Sequence, residues 1–281
     1  MASVFLLRCK AEPRSQGDAF ADTDEPAQIV ARSFLARPTA RVPRGAVWHI
    51  GNTSEMKGGA VFFALGREVI VKAHEFDNRL REFREIEQSQ APFTVGVYDP
   101  ETQVAGILVR PNVSMNAKEV AAKIAILLEE PGIARRNNRQ IVVDFIPDPT
   151  GFIAALETAH RITRFEFEFT PPNPPGDNKY IRQPLKNFAE RAGAEEGKVS
   201  VRGYALNKNE LADLTRDIAA AGDNATATIQ SKEKGSLERR SLNINPLREP
   251  VDAGFHEETG DAILRATQEG FKSLKNKDEN G

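Results

Sequence analysis

Apolar and polar residues alternate in several short stretches of the chain, which is the pattern of β-strands that bury one face. The clearest stretch is 162–169, where phenylalanines alternate with Glu166 and Glu168. Two pairs of strands flank turn-forming residues and are predicted to form hairpins: 46–50 with 60–65, and 93–98 with 103–109. Further strands are predicted at 140–146, 198–206, 225–229 and 238–244.

Helical spacing of apolar residues predicts the second kind of element. After Asn116, a residue that caps helices well, Val120, Ile124 and Leu127 recur every three or four positions, and Pro131 follows the segment. The same criterion predicts helices at 77–88, 116–130, 150–160, 184–192, 210–221 (capped by Asn209) and 257–275. The first 45 or so residues show neither pattern clearly, and we expect them to be largely irregular.

Residues 170–176 interrupt this organisation with four prolines in seven positions. Because proline lacks a backbone donor, such a segment cannot continue a central strand and is typical of a semi-rigid spacer. We therefore predict a body at 1–170, a Pro-rich linker at 171–176, a smaller domain at 177–248 and an acidic helix and tail at 249–281. The linker would be a hinge that lets the smaller domain close over a partner.

The mixture of strands and helices, without strict βαβ repetition, predicts an α+β fold. The body is expected to hold a mixed, largely antiparallel sheet with helices. The smaller domain after the linker is expected to be a β-α-β-β unit. The tail helix is expected either to dock on the body or to pair with another chain.

Composition narrows the class of protein. No apolar run approaches the roughly 20 residues of a spanning helix, so we expect no direct membrane insertion. The N-terminal apolar run is too short for a secretory signal, and Cys9 is the single cysteine, which together favour a reducing cytoplasm. The net charge of −2 is unevenly distributed, because 177–248 carries 13 basic and 10 acidic residues whereas the tail carries 4 and 8. We therefore expect a polyanion to bind to the segment after the prolines, which has a positive excess.

Catalytic motifs are missing from the sequence. The four histidines are scattered, and there is no phosphate-binding glycine loop and no nucleophile elbow, so we expect no metal, no cofactor and no enzymatic activity. One catalytic alternative stays open, a metal-dependent nuclease using Asp144, Asp148 and Glu166. Against it, Glu166 and Glu168 alternate with phenylalanines as the solvent-facing side of a half-buried strand would.

Basic residues make a stronger case. Lys198 and Arg202 differ by an even number and so share one face of a strand. With neighbouring cations they would form a phosphate-binding surface: Lys198, Arg202, Lys208, Arg216, Lys232, Lys234, Arg239 and Arg240. A secondary cluster, Arg135, Arg136 and Arg139, would extend it. No helix-turn-helix or zinc-finger pattern offers a helix that reads bases, so binding would be weakly sequence-specific.

The order of these segments resembles that of RexA-like phage exclusion proteins and, more loosely, the KwaB component of Kiwa phage defence. The resemblance lies in layout and hydrophobic pattern over residues 46–245. It runs through AVWHIGNTSEMKGGAVFFALGRE, APFTVGVYDPETQVAGILVRPNVSMNAKEVAAKI, QIVVDFIPDPTGFIAALETAHRITRFEFEF and KVSVRGYALNKNELADLTRDIAA. It implies an α+β homodimer with a mobile second domain that binds double-stranded DNA. Arg202, Lys208 and Arg216 match the basic strand–helix segment of that family.

Together these features favour a dimeric, non-enzymatic protein that clamps duplex DNA with little sequence specificity in phage exclusion or anti-phage defence. The alternative that we keep open beside the nuclease is a protein-interaction subunit of a two-component defence system, with a membrane or effector protein as its partner. The uneven charge favours the first hypothesis, because the acidic chain gains a local positive excess only after the prolines.

Overall fold

The computed structural model describes residues 2–14, 24–42, 46–111, 113, 115–169, 181–194, 196–252 and 259–275. The strands are β1 (Ala2–Pro13), β2 (Thr39–Arg41), β3 (Val47–Glu55), β4 (Val61–Arg67), β5 (Val69–Asp77), β6 (Glu82–Gln90), β7 (Phe93–Asp99), β8 (Val104–Leu108), β9 (Arg139–Phe145), β10 (Arg161–Phe169), β11 (Gly197–Arg202), β12 (Ala225–Gln230), β13 (Leu237–Ser241) and β14 (Arg248–Val251). The helices are α1 (Pro26–Leu35), α2 (Ala117–Glu129), α3 (Ile133–Arg136), α4 (Thr150–Thr158), α5 (Arg182–Ala192), α6 (Lys208–Ala220) and α7 (Thr259–Lys275).

The larger sheet runs in the order β14-β1-β8-β7-β4-β3-β2, with β9 also paired to β1. Each pairing between the described strands is antiparallel, and helices pack on both faces, so the α+β class is confirmed. Both predicted hairpins are present, as β3–β4 and β7–β8. The helix after Asn116 is confirmed as α2, and the Asn116 side chain accepts hydrogen bonds from the backbone N–H groups of Lys118 and Glu119.

Strand β1 lies at the centre of this sheet, so the prediction of an irregular N-terminal region is wrong there. Phe5 and Leu7 enter one core beneath α1 and α2, whereas Val4 and Leu6 enter another beneath α7. A strand that is buried on both faces carries a continuous apolar run instead of an alternation. For that reason the pattern of one-sided strands did not reveal it.

The predicted helix at 77–88 is also wrong, because these residues belong to the β5–β6 hairpin. Asp77 begins the turn, and its Oδ1 accepts hydrogen bonds from the backbone N–H groups of Arg79 and Leu80 at 2.9 and 3.0 Å. Aspartate and asparagine favour such turns because a short side chain can bond to the backbone two residues on. Phe76 and Phe83 face each other across the strands, with ring centroids 5.0 Å apart.

Helix α7 docks on the larger sheet. The contact is close at Gly106, where an added Cβ would lie 1.9 Å from Thr267 Oγ1. Gln268 Nε2 donates to Asp99 Oδ2 at 3.1 Å. Of the two expectations for the tail helix, docking on the body is therefore the one that the structure shows.

The smaller sheet runs in the order β11-β10-β12-β13, which corrects the predicted domain boundary. Strand β10 precedes the prolines, yet it pairs with β11 and β12, which follow them. Its phenylalanines share one apolar cluster with Leu214 and Ile218 of α6. Residues 171–176 lie outside the described residues. Because β10 before them and β11 after them pair in one sheet, the boundary between the two sheets lies before β10 and not at the prolines.

The smaller sheet and its helices are held on the larger sheet through the C-terminal end of α6. Buried Lys10 of β1 lies 3.2 Å from Asp223 and 3.8 Å from Asp144 of β9. A Cβ at Gly222, whose φ is +73°, would lie 3.1 Å from that of Arg8, so glycine permits both the turn and the approach. Removing one member of a buried ion pair leaves an uncompensated charge, so the pairs of Lys10 fix the end of α6 against β1.

The α6 cap lies two residues earlier than predicted. Asn207 is the cap, and its side chain accepts a hydrogen bond from the backbone N–H of Asn209. The expected order β11-α6-β12-β13 is present, with β10 and α5 added to it.

Candidate nucleic-acid interface

The smaller sheet has one apolar face and one open face. Phe165, Phe167 and Phe169 of β10 are buried against α4 and α6. The residues between them, beginning with Arg164 and Glu166, therefore lie on the opposite face. The covering helices described for this sheet belong to the apolar cluster, which leaves the face with Arg164 available to a ligand.

A row of arginines crosses the open face. Arg164 pairs directly with Arg202 of β11 on one side and with Thr228 of β12 on the other. Thr228 in turn pairs with Arg239 of β13. Directly paired residues share a face, and neighbouring strands are about 4.8 Å apart, so the row from Arg202 to Arg239 is about 14 Å long. Lys198 lies on the same face, four residues before Arg202 on β11.

Glu166 lies at the centre of these cations. Its Oε1 is 2.7 Å from Arg164 Nη2 and 3.9 Å from Lys198 Nζ, and its Oε2 is 4.0 Å from Arg239 Nη2. Although burial alone would raise the pKa of Glu166, the charges of Arg164 and Lys198 together with hydrogen bonds from Ser200 and Arg164 lower it. The carboxylate therefore stays ionised and partly neutralises the row.

The cations project further than the Glu166 carboxylate does, whereas the Glu168 side chain is 65% exposed. The exposed fraction of the side chain is 68% for Arg239, 52% for Lys198 and 38% for Arg164, against 10% for Glu166. A cavity of about 50 Å³ lies between these side chains. It is far smaller than a small-molecule pocket of roughly 300 Å³ or more, so the face is suited to a ligand that lies across it.

A second feature lies at one end of the same sheet. The Arg161 guanidinium stacks over the ring of Tyr204 at 4.6 Å and donates through Nε to Gln230 Oε1 at 2.6 Å. Tyr204 is 82% exposed. Gln230 also donates to the carbonyls of Glu233 and Gly235, which orders the turn that carries exposed Lys232 and Lys234. These two predicted lysines thus lie in the turn between β12 and β13, at one end of the smaller sheet.

Three of the predicted cations lie elsewhere. Lys208 Nζ donates to the carbonyls of Glu157 and Ala159 at the end of α4, so it serves as a helix cap. Arg216 on α6 pairs with Asp213 at 3.1 Å. Arg240 pairs in register with Ala227, a residue of the apolar cluster, so Arg240 points to the other side of the sheet and reaches Glu238. These three residues therefore do not belong to the row on the open face.

The secondary cluster belongs to the larger sheet. Arg139 Nη1 donates to the carbonyl of Ala11 at 2.8 Å, and Arg136 Nη1 donates to that of Pro131 at 3.4 Å. Arg135 lies on α3 and is exposed. Two of the three therefore have structural roles on the body, and the cluster does not extend the row on the smaller sheet.

The carboxylates of the nuclease hypothesis do not converge. Asp144 pairs with Lys10, and burial raises the pKa of Asp144. Asp148 Oδ1 accepts from the backbone N–H of Thr150 at the start of α4, and Glu166 lies on the smaller sheet. Within the part of the chain that the structure describes, no three His, Cys, Asp or Glu side chains are grouped so that they could hold a metal ion.

The sequence reading missed Arg164, Arg161 and Tyr204. Arg164 carried a usable signal, because it lies two positions before Glu166 in the alternating stretch. What the alternation cannot reveal is strand pairing, which brings residue 164 beside residues 202 and 239.

Comparison of the chain with models of known protein families and with curated proteins finds no match. The described helices include none that is long and apolar enough to cross a membrane. The open face is therefore interpreted from its own geometry.

Proposed function

We propose that the open face of the smaller sheet binds the phosphate backbone of duplex DNA with little sequence preference. The observation that carries this proposal is the row that runs from Arg202 through Arg164 and Thr228 to Arg239 across the four strands of the sheet. Guanidinium groups donate paired hydrogen bonds to phosphate oxygens and stay charged at every physiological pH. A row about 14 Å long spans roughly four base-pair steps along the axis of the duplex, at about 3.4 Å each.

The sheet geometry accounts for the weak sequence preference. Helices α4 and α6 lie on the apolar face, so neither can enter a groove while the open face contacts the backbone. Contacts to phosphates fix position and orientation but carry no direct sequence information. Binding would therefore be about equal on unrelated duplexes.

Glu166 and Glu168 limit the affinity. Both carboxylates lie among the cations of the open face, and Lys198 contacts both, at 3.9 and 3.5 Å. We therefore expect dissociation constants in the range of non-specific binding, about 10⁻⁶ to 10⁻⁴ M at physiological salt.

The biological setting in this proposal is phage exclusion or anti-phage defence in the cytoplasm. It is supported by the resemblance in segment order to RexA-like and KwaB proteins. A cell expressing the chain would then restrict phage growth, and a variant with substitutions in the arginine row would restrict it less. Equal plaque formation with both proteins would show that the arginine row does not act in phage restriction, and it would leave the binding proposal untouched.

Fluorescence anisotropy with two unrelated labelled duplexes tests the binding proposal. Similar dissociation constants for both, rising steeply with salt, are the expected result. No binding at low salt would refute the proposal, and a large difference between the duplexes would indicate base readout instead.

A further inference from the structure

The β5–β6 hairpin is an arm with two unlike faces. One face carries Val69, Val71, Ala73 and Ile86, which are half-buried. The opposite face, here called the outer face, carries residue pairs that alternate with these along the strands. An isolated two-stranded hairpin is only marginally stable in water, so an arm of this kind gains from a partner.

The outer face exposes large apolar side chains. Phe83 is 81% exposed, Ile70 is 73% exposed and Phe76 is 42% exposed. Phe76 and Phe83 form a cross-strand pair near the tip. Contiguous exposed apolar patches mark interaction surfaces, and the Phe76–Phe83 pair forms such a patch at the tip, whereas Ile70 lies six residues away along β5.

The charges of the outer face are separated by strand. Strand β5 contributes Lys72 and His74, and β6 contributes Glu85 and Glu87. Lys72 pairs in register with Glu87 and reaches Glu85 at 2.6 Å. One long edge of the face is therefore basic and the other acidic, while both carry a phenylalanine near the tip.

We propose that the outer face of the hairpin packs against the same face of a second copy of this chain. A two-fold axis parallel to the strands stacks β5 of each copy on β6 of the other. This places Lys72 over Glu87 of the second copy and Phe76 over its Phe83, so the face is complementary to itself. A partner with only one sign of charge would match one edge and repel the other.

The area of the face indicates the strength of this contact. Nine residues at about 3.4 Å each give a length of about 30 Å, and two strands with their side chains are about 10 Å wide. Each copy would bury about 300 Å², or about 600 Å² in total, which is below the 1,200 Å² of standard interfaces. We therefore expect a weak dimer that forms with rising protein concentration, with a dissociation constant in the micromolar range.

Sedimentation velocity on the full chain tests the proposal, with concentration rising to about 100 μM, well above a micromolar dissociation constant. The wild type should shift from monomer to dimer. Phe83→Ser should raise the dimer dissociation constant at least about tenfold, because buried aromatic side chains dominate such contacts. Phe188→Ser, which removes a 73% exposed phenylalanine from α5, is the matched control and should dimerise as the wild type does.

A mixing experiment tests the orientation. Lys72→Glu makes both edges acidic, and Glu85→Lys with Glu87→Lys makes both edges basic. Each protein alone should remain monomeric, and an equimolar mixture should restore the dimer. A wild type that stays monomeric throughout, or variants that dimerise alone, would overturn the proposal. A mixture that remains monomeric although both variants are folded by circular dichroism would overturn the stacking of unlike strands.

Discussion

Arg164 Nη2 lies 2.7 Å from Glu166 Oε1 at the centre of the open face. The ion pair joins two residues of the same strand that share a face because they are two positions apart. It keeps the Arg164 side chain beside the carboxylate while leaving it 38% exposed. The arginine row is therefore ordered by a charge that also opposes phosphate binding, and this opposition can be measured.

Replacing Glu166 by glutamine should strengthen binding to duplex DNA. The amide oxygen can still accept a hydrogen bond from Arg164, but the negative charge is gone. Because a like charge beside the phosphates opposes binding, we expect the dissociation constant to fall about fivefold when it is removed. Anisotropy titrations measure this change. Glu168→Gln, which removes an exposed charge from the same face, should give a smaller gain, and weaker binding by Glu166→Gln would contradict the account.

The same substitution should affect stability in a pH-dependent way. The net effect of its surroundings lowers the pKa of Glu166 in the folded protein, so its charge stabilises the fold above the ordinary pKa of glutamate, near 4.5. This contribution is lost as the pH falls below that value. Thermal unfolding should therefore show Glu166→Gln melting below the wild type at pH 7, with the difference shrinking on acidification through pH 4. A difference that is constant with pH would contradict the assigned ion pairs.

Glu12 gives the opposite dependence. Burial raises the pKa of Glu12 despite the nearby charge of Lys10, so the ionised form is disfavoured in the folded protein. The contribution of protonated Glu12 to the stability of the fold is therefore fully present below the ordinary pKa of glutamate. It is lost as the pH rises through the raised pKa. Glu12→Gln should therefore melt above the wild type at pH 7 and close to it near pH 4. A lower melting temperature at pH 7 would show that the ionised carboxylate contributes to the buried ion pairs of Lys10.

Lys208 should matter for stability and not for DNA binding. Its ammonium group donates to two carbonyls at the end of α4, and a positive charge there also complements the helix dipole. Lys208→Met keeps much of the side-chain volume and should reduce the free energy of unfolding by about 1 kcal/mol. Denaturant unfolding and a duplex titration of the same protein distinguish the two roles. A loss of affinity without a loss of stability would restore Lys208 to the phosphate surface.

Much of the fold was predictable from the sequence, because one-sided elements display their burial. The hairpins β3–β4 and β7–β8 and the capped helix α2 follow from alternation, turn residues and Asn116. Strand β1 was missed because burial on both faces removes the alternation. The β5–β6 arm was misread because Leu80 and Phe83 have helical spacing, whereas the turn at Asp77 decides the structure.

The candidate site was predictable only in part. Lys198, Arg202 and Arg239 lie on the open face as alternation along their strands allows. Arg164 lies beside them because β10, before the prolines, pairs with β11, after them. A pattern within one segment does not reveal which strands pair. Lys208 and Arg240 were misplaced because their positions depend on helix packing and on strand register. Charge counts along a segment therefore predicted a positive region and could not predict its face.

The most direct test of the central claim compares two double variants with the same loss of charge. Arg202→Ala with Arg239→Ala removes two guanidinium groups from the open face, and Arg216→Ala with Arg240→Ala removes two that lie away from it. Binding to one duplex is measured over a series of salt concentrations. The wild type and the second variant should show the same slope of log affinity against log salt, about −3. The first variant should show a slope of about −1, because it makes two fewer phosphate contacts. Equal slopes for the two variants would contradict the proposal that the arginine row binds phosphate.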